Sequence, residues 1–506
     1  MKKDLLKEKY MNGSINVNIK PGPLEFLSSK ERKEDIEQLY NVLSENYPYF
    51  SLKKKKFNYD WLAHKEDFIK WGEECTTNEE FYLVIKKIVM LLQNNHTQLL
   101  NPSYRGYLGE VYEGNDSWSK VLNHKGVIKK YEEWAKMSLP NPYVLPGEFK
   151  YIEGEYIYCS EALCEEEKIE ALPEGAILEK ISGRPIDNYI ASLIYDRYIH
   201  YDYKRDKPII EALRIFTDKK KTLTLGFRDE DGKKFSRKII SHKYYPNFHG
   251  NNMNNEEESN IKIDIIKEGS TAYIKINSFA SRHIAPDSKV VENSFIKFKD
   301  YSNLIIDIRG NGGGNEEYYM ENILPYIMNE KKTADFYLIF RHGSYIKSFL
   351  KDRGLNYDLK DKSIKLTEEL PQSLNLHEEY RKNFGFFIRN SRTINSSKYT
   401  GFKGEIYILT DHHTYSAAET FAAFAKATNI AIIVGTTTGG DGVNIDSCVL
   451  ALKNSGLVVR FAMSMGINGD GTINEETHTS PHIYVEQGLK DFMSSKDSVL
   501  EFIKTI

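Results

Sequence analysis

The segment TDHHTYSAAETFAAFAKA, Thr410 to Ala427, joins an apolar strand-like run, Ile406 to Leu409, through a short loop to an alanine-rich helix opening at Ser416. A serine at such a junction can act as a nucleophile. The first helical turn leaves backbone N–H groups unpaired at the positive end of the macrodipole, so an oxyanion forming beside the serine oxygen is stabilised there. A plainer reading uses the same residues. Ser416 and Glu419 fit the S-x-x-E capping box, in which the hydroxyl only caps its own helix, and taken alone the segment favours the cap.

A second segment, LIIDIRGNGGGN from Leu304 to Asn315, ends an apolar strand in a glycine cluster. Glycines permit positive φ and close backbone approach, which suits an oxyanion hole, although a helix-entry turn is favoured when the segment stands alone. It is neither a dinucleotide fingerprint nor a phosphate loop, because G-x-G-x-x-G spacing and a following Gly-Lys-Ser/Thr are both missing. His412 and His413 could serve Ser416 as bases, but loop histidines are more often solvated. His478 and His482 have the i, i+4 spacing of a zinc pair, yet Pro481 between them breaks an ordinary helix, and no H-E-x-x-H occurs. No metal or cofactor is expected. The residues around Ser416 also lack the G-x-S-x-G of serine esterases.

The elements that must position these groups fall into distinct stretches. Ile36, Leu39, Tyr40 and Leu43, then Phe81, Val84, Ile85, Ile88, Leu91 and Leu92, recur at helical spacing. Thr77 and Glu80 read as a capping box, so the second helix ends near Asn94, Asn95 and His96. The Lys53 to Lys56 run reads as a solvated loop face. From Pro146 to His242 short strand-like runs take over, with a hairpin signal at Asp231-Gly232. GNNMNNEEESN, Gly250 to Asn260, reads as a polar linker. Beyond it, strand and helix alternate as in an α/β layer, interrupted by Ala334 to Tyr399, which reads as an insertion over one face, either a lid or a decoration. The expected division is a tail over 1–29, a helical module over 30–145, a β-rich module over 146–249, a linker over 250–262 and a catalytic domain over 263–506 with an insertion at 334–399.

Composition narrows the function classes. A chain of 506 residues exceeds one core, at roughly 100 to 200 residues per domain. The formal net charge of −3 provides no field for nucleic acid or an anionic membrane. Four cysteines, Cys75, Cys159, Cys164 and Cys448, form no CxxC and suggest neither a zinc site nor a disulfide framework. The N-terminus has no apolar run of signal-peptide length, and no stretch of about 18 apolar residues occurs. A cytoplasmic protein without membrane insertion is the expectation.

Taken together and in this order, the motifs resemble the carboxyl-terminal processing (tail-specific) serine peptidases. IDIRGNGGG is similar to that family's D-L-R-x-N-x-G-G turn, TYSAAETFA to its nucleophile segment, and GTTTGGDG, Gly435 to Gly442, to its G-x-x-T-x-G-x-G turn. PEGAILEKISGRPI, Pro173 to Ile186, resembles the core of its PDZ-like module, LLQNNHTQL its D-G-H-T segment, and NEETHTSPHIYV its closing segment. The resemblance implies a multidomain α/β protein: an N-terminal helical module, a PDZ-like module and a crotonase-like catalytic domain. It implies a serine endopeptidase acting through an acyl-enzyme on Ser416, with protein or peptide substrates and a homo-oligomer the favoured assembly. Where one branch of the family places a lysine base, this chain has Asp441; the tricorn-core and chlamydial branches use a histidine and a glutamate, which fall on His96 and Glu475. Imidazole suits the role, since it titrates near neutrality and a serine hydroxyl needs an adjacent base. Glu475 would orient it directly or through Asn95, with Glu476 as its fallback; Gly313, Gly312 and Ala417 would supply the oxyanion amides. The alternative is a non-catalytic ligand- or peptide-binding protein on the same scaffold, since Asn94, Asn95, His478 and His482 depart from the family motifs.

Overall fold

The computed structural model describes residues 19, 22–114, 116–137, 142–159, 168–170, 172–244, 259–352 and 364–506. The expected linker at Gly250 to Asn260 lies, up to residue 258, outside them.

Helices dominate the first stretch. Ser29–Asn46 opens on a full capping box, Ser28 with Glu31, and buries Ile36, Leu39 and Leu43 along one face. Asn78–Met90 is capped by the Thr77 hydroxyl, which accepts from the Glu80 N–H. The Glu80 carboxylate reaches the N–H of Thr76, one residue before the cap, instead of that of Thr77. The apolar stripe of this helix, Phe81, Ile85 and Ile88, is buried.

The lysine run differs from expectation. It forms a helix, Phe50–Phe57, and helical periodicity turns Lys53 inward with Phe50 while Lys54 and Lys55 stay exposed.

The helical stretch is tied to the far end of the chain by several buried contacts. Asp35 accepts the N–H groups of Asn454 and Ser455, each at 2.8 Å, while Lys130 and Trp134 donate to the carbonyls of the same two residues. Immediately after His96, Gln98–Leu99 forms a short strand antiparallel to Val458–Phe461, with Gln98 opposite Arg460 and Leu99 opposite Val459. Thr97 adds a hydroxyl that accepts the Ala462 N–H at 3.2 Å. An early turn is therefore registered against a late strand by backbone pairing, which a one-residue slip would undo.

The middle stretch is an antiparallel sheet. Its strands run Lys234–Ile240, Thr222–Arg228, Ile177–Ile181, Glu155–Tyr158, Phe149–Ile152 and Ala212–Leu213, and Arg184–Pro185 also pairs with Ile177–Ile181. The hairpin at Asp231-Gly232 is present, with Arg228 opposite Lys234.

A mixed sheet follows in the order Ile261–Lys267, Thr271–Ile276, Asn303–Asp307, Glu405–Thr410, Ile432–Gly435 and Ile483–Tyr484; only its first pair is antiparallel. Asn303–Asp307 is buried along its whole length, as expected for a parallel strand covered on both faces. The carboxyl ends of three neighbouring strands lead into the Gly310 to Gly314 turn, the Asp411 to Ser416 loop and the Thr436 to Gly442 turn. Crevices at such strand ends are where open α/β sheets bind ligands.

The 334–399 stretch is built into a second sheet. Lys332–Arg341 pairs with Phe384–Ile394 on one side and with Ser464–Ile467 on the other, and Phe336 to Phe340 are buried. Neither a loose lid nor a surface decoration describes these strands, because their apolar side chains form part of the core. Among the described residues no helix is long and apolar enough to cross a membrane.

Candidate active site

Ser416 stands immediately before the helix Ala417–Thr428, with φ 55° and ψ −122°. A non-glycine residue rarely adopts this backbone, at a cost of about 1–3 kcal/mol, and such residues concentrate at functional sites. The capping reading fails on the same observation, since the Ser416 side chain makes no cap hydrogen bond. Glu419, the other half of the supposed box, instead accepts from Asn474 Nδ2 at 2.6 Å and Thr479 Oγ1 at 2.7 Å.

Backbone contacts hold the strained turn. Asn311 accepts the Tyr415 N–H at its carbonyl and the Gly313 N–H at its side-chain oxygen, while its Nδ2 donates to the Ile276 carbonyl. The Ser416 N–H donates to the Gly440 carbonyl at 3.2 Å and the Gly439 N–H to the Thr414 carbonyl at 2.8 Å. Two glycines are required for close approach. A β-carbon on Gly313, at φ +91°, would lie 2.7 Å from the Ala417 nitrogen and 2.9 Å from Ser416 Cβ; one on Gly442 would lie 2.5 Å from the Ser416 carbonyl oxygen.

His96 is brought to the same place. Its ring packs on that of Tyr415, the residue before Ser416, with centroids 5.0 Å apart. Its Nδ1 lies 2.7 Å from Asp441 Oδ2, and the two side chains are 19% and 1% exposed. Asp441 also accepts from Tyr415 Oη at 2.7 Å, Asn94 Nδ2 at 2.9 Å and Asn444 Nδ2 at 3.2 Å. Burial pushes the Asp441 carboxyl up, but the His96 imidazole and the hydrogen bonds from His96, Tyr415 and Asn444 outweigh it and hold the group well below the usual carboxylate range. An ionised carboxylate only accepts, so the proton is assigned to His96 Nδ1, and the neutral ring keeps its lone pair on Nε2.

The expected orienting residues are placed differently. No hydrogen bond joins Glu475 to His96 among the described residues; Glu475 Oε1 instead takes Lys53 Nζ at 2.6 Å and Asn94 Nδ2 at 3.2 Å. Burial raises its carboxyl, and the nearby negative Asp441 adds to that. Asn95, expected as the go-between, is exposed; Asn94 bridges the two carboxylates in its place. Glu476 pairs with Lys55 at the surface. Gly313, expected to donate to an oxyanion, gives its N–H to Asn311 Oδ1 at 2.9 Å, whereas the N–H groups of Gly312 and Ala417 have no acceptor among the described residues.

The other histidines are otherwise engaged. His478 is half-buried with Nδ1 2.8 Å from the Thr438 carbonyl, and His482 Nδ1 accepts the Ile433 N–H. His413 pairs with Glu211 of the middle sheet, and with His200 these form the one described group whose donor atoms could share a metal ion. The Asp307–Arg309 pair at the glycine turn is structural: Tyr273 Oη donates to Asp307, and Arg309 reaches on to Asp497.

Asp441, Asn94, Tyr415, Asn444 and Asn311 did not enter the sequence-derived site. Asp441 stands at the position where one branch of the family has its lysine base; a carboxylate is a weak base there, but an orienting carboxylate needs no basicity. Of the other four, Asn94, Tyr415 and Asn311 lie inside the flagged motifs and Asn444 two residues beyond Gly442, and only the fold shows where they point.

Residues 270–485 match the family model described as Peptidase family S41. Among solved structures, mature CPAF complexed with lactacystin is 13% identical, at a TM-score of 0.57, over 94% of this chain and 97% of that one. Another structure of mature CPAF gives a TM-score of 0.58 at 13% identity, over 94% and 96%. The photosystem II D1 C-terminal processing protease is 14% identical over 90% and 93%, but its TM-score of 0.39 adds no support for the fold. No curated protein sequence matches. The S41 match over residues 270–485 supports a serine-type peptidase, on a multidomain α/β fold similar to that of CPAF.

Glu419 gives a test of the buried site in solution. Desolvation pushes its carboxyl from 4.5 up to about 7, against hydrogen bonds from Thr438, Thr479 and Asn474 that lower it. Between those values the folded chain holds a proton that the unfolded chain has released, so this group's contribution is full below 4.5 and is lost as pH rises through about 7. The difference amounts to roughly 3 kcal/mol. Glu419→Gln should flatten the fall in melting temperature between about pH 5 and about pH 8. Parallel melting profiles for variant and parent would contradict this.

Proposed function

We propose that the chain is a serine endopeptidase in which Ser416 is the nucleophile, His96 the general base and Asp441 the carboxylate that orients the base. The observation that carries this reading is the His96 Nδ1 to Asp441 Oδ2 contact of 2.7 Å beside the strained Ser416 turn. With Nδ1 held as a donor, Nε2 is the nitrogen left to take the Ser416 proton as the hydroxyl attacks a scissile carbonyl. The imidazolium formed in attack sits against an ionised carboxylate, and it then returns the proton to the leaving amine. Water resolves the acyl-enzyme by the same base. Charge on the tetrahedral oxygen is met by the Ala417 and Gly312 amides and by the positive end of the Ala417–Thr428 helix.

Glu475 is given a supporting role. It neutralises Lys53 and holds Asn94, which in turn donates to Asp441. We read the late α/β sheet as crotonase-like and the middle sheet as PDZ-like, with recognition of a peptide end by strand addition. Peptides with free C-termini should bind more tightly than their amidated counterparts; equal affinities would remove tail recognition while leaving the serine chemistry intact.

Four substitutions separate catalytic from structural roles. Ser416→Ala and His96→Ala should each lower kcat on an unstructured protein substrate by several orders of magnitude, and Asp441→Asn by about 10³-fold or more, because the wrong tautomer is then favoured. Glu475→Gln should cost less than about tenfold in kcat while lowering thermal stability, since it disturbs a buried pair away from the reacting atoms. Full activity in Asp441→Asn, or a loss in Glu475→Gln as large as in His96→Ala, would transfer the orienting role to Glu475. Retention of cleavage by Ser416→Ala would reject the nucleophile.

A further inference from the structure

Beside the loop that carries Ser416, three side chains from distant parts of the chain converge. His200 lies in the short strand His200–Asp202, Glu211 just before Ala212–Leu213 in the middle stretch, and His413 in the loop that carries Ser416. His413 Nε2 contacts Glu211 Oε2, and the rings of His200 and His413 stand edge to face with centroids 5.3 Å apart. One donor atom from each lies within 4.8 Å of the other two. Glu211 Oε1 is buried with no hydrogen-bond partner among the described residues.

We propose that His200, Glu211 and His413 form a binding site for a divalent transition metal of the Zn²⁺ class, which clamps the middle sheet to the loop that carries Ser416. Two imidazoles and a carboxylate with a fourth position for water are a complete Zn²⁺ ligand set. Bonds of about 2.0–2.2 Å require the donors to close in from their present separation. His413, at 54% exposure, has the freedom to do so. Metal coordination would also satisfy the orphaned Glu211 oxygen, whose burial is costly while it is unpaired. A cavity of about 240 Å³, walled by Glu211, Asp411, His412 and Tyr151, adjoins the cluster and leaves room for an ion and its water to enter.

The clamp would act on both halves of the active site. Upstream of His200, the Ile199 N–H donates to Gln93 Oε1 at 3.0 Å, while Gln93 Nε2 donates to the carbonyls of Ile194 and Arg197, each at 2.9 Å. Gln93 belongs to the turn that ends in His96, and His413 to the loop that ends in Ser416. The ligands follow no spacing that a motif could capture, so the site is visible only in the fold. The proposal does not depend on the peptidase reading, since metal uptake is measured without substrate.

The test is calorimetric titration of the chelator-treated full-length chain with Zn²⁺, with bound metal quantified by elemental analysis. The expected result is one equivalent bound at micromolar or lower concentration, a rise in melting temperature on binding, and affinity weakened roughly tenfold or more in His200→Ala, Glu211→Gln and His413→Asn. Co²⁺ in place of Zn²⁺ should give the visible absorption of a tetrahedral site in the parent alone. If His200→Ala fails to fold, the exposed His413→Asn decides. Lack of stoichiometric uptake at low micromolar Zn²⁺, or uptake unchanged in His413→Asn and Glu211→Gln, overturns the proposal.

Discussion

A carboxylate excluded from water must be ringed by donors, and at Asp441 those donors are the site. His96 and Asn94 come from the turn after an early helix, Tyr415 from the nucleophile loop and Asn444 from the chain just beyond the glycine turn. Leaving such a charge without its partners costs several kcal/mol, so the folded state that satisfies Asp441 is also the state in which the proposed base, His96, and the Ser416 loop meet. One electrostatic requirement thereby links packing to chemistry. The strand pairing of Gln98–Leu99 with Val458–Phe461 supplies the mechanical half of the same constraint, because it fixes the register of the His96 turn against that late strand.

The strain at Ser416 is sustained by its surroundings. Asn311 pins both the glycine turn and the nucleophile loop, and Gly313 and Gly442 pack where any β-carbon would collide with the Ser416 backbone or side chain. The result is a hydroxyl released from capping its helix, next in the chain to an Ala417 amide with no acceptor among the described residues. Below it the helix is buried from Ala417 through Ala425, and its small residues let the sheets close on it from several sides.

How much of this could be read in advance depends on the kind of interaction. The strand–loop–helix around Ser416 and the strand–glycine turn at Gly310 to Gly314 were legible because apolar runs and glycines report local backbone directly. The capping box at Ser416 was a correct pattern with the wrong geometry, since a sequence does not carry φ. Asn95 against Asn94 shows a similar limit: in a tight turn, adjacent side chains point apart, and one residue decides which faces the carboxylates. The lysine run misled through composition alone; Phe50, Lys53 and Phe57 lie near one helical face, and that periodicity marked Lys53 as inward. The 334–399 stretch likewise contained apolar runs of buried-strand length, FYLIF and FGFFI, which outweighed the charges around them. Asp441 was missed for a chemical reason: it was judged as a replacement for a base and not as a partner for one.

The central claim is that Asp441 holds the His96 Nδ1 proton beside Ser416. Proton NMR of the chain carrying isotope-labelled histidine tests it directly, since a ring N–H donated to a buried carboxylate resonates far downfield and exchanges slowly with water. The account predicts one such resonance, assigned to His96 Nδ1, that is lost in an Asp441→Ala protein and persists in Glu475→Gln. A His96 Nδ1 proton in fast exchange, or a signal that survives removal of Asp441 and vanishes with Glu475, would contradict it.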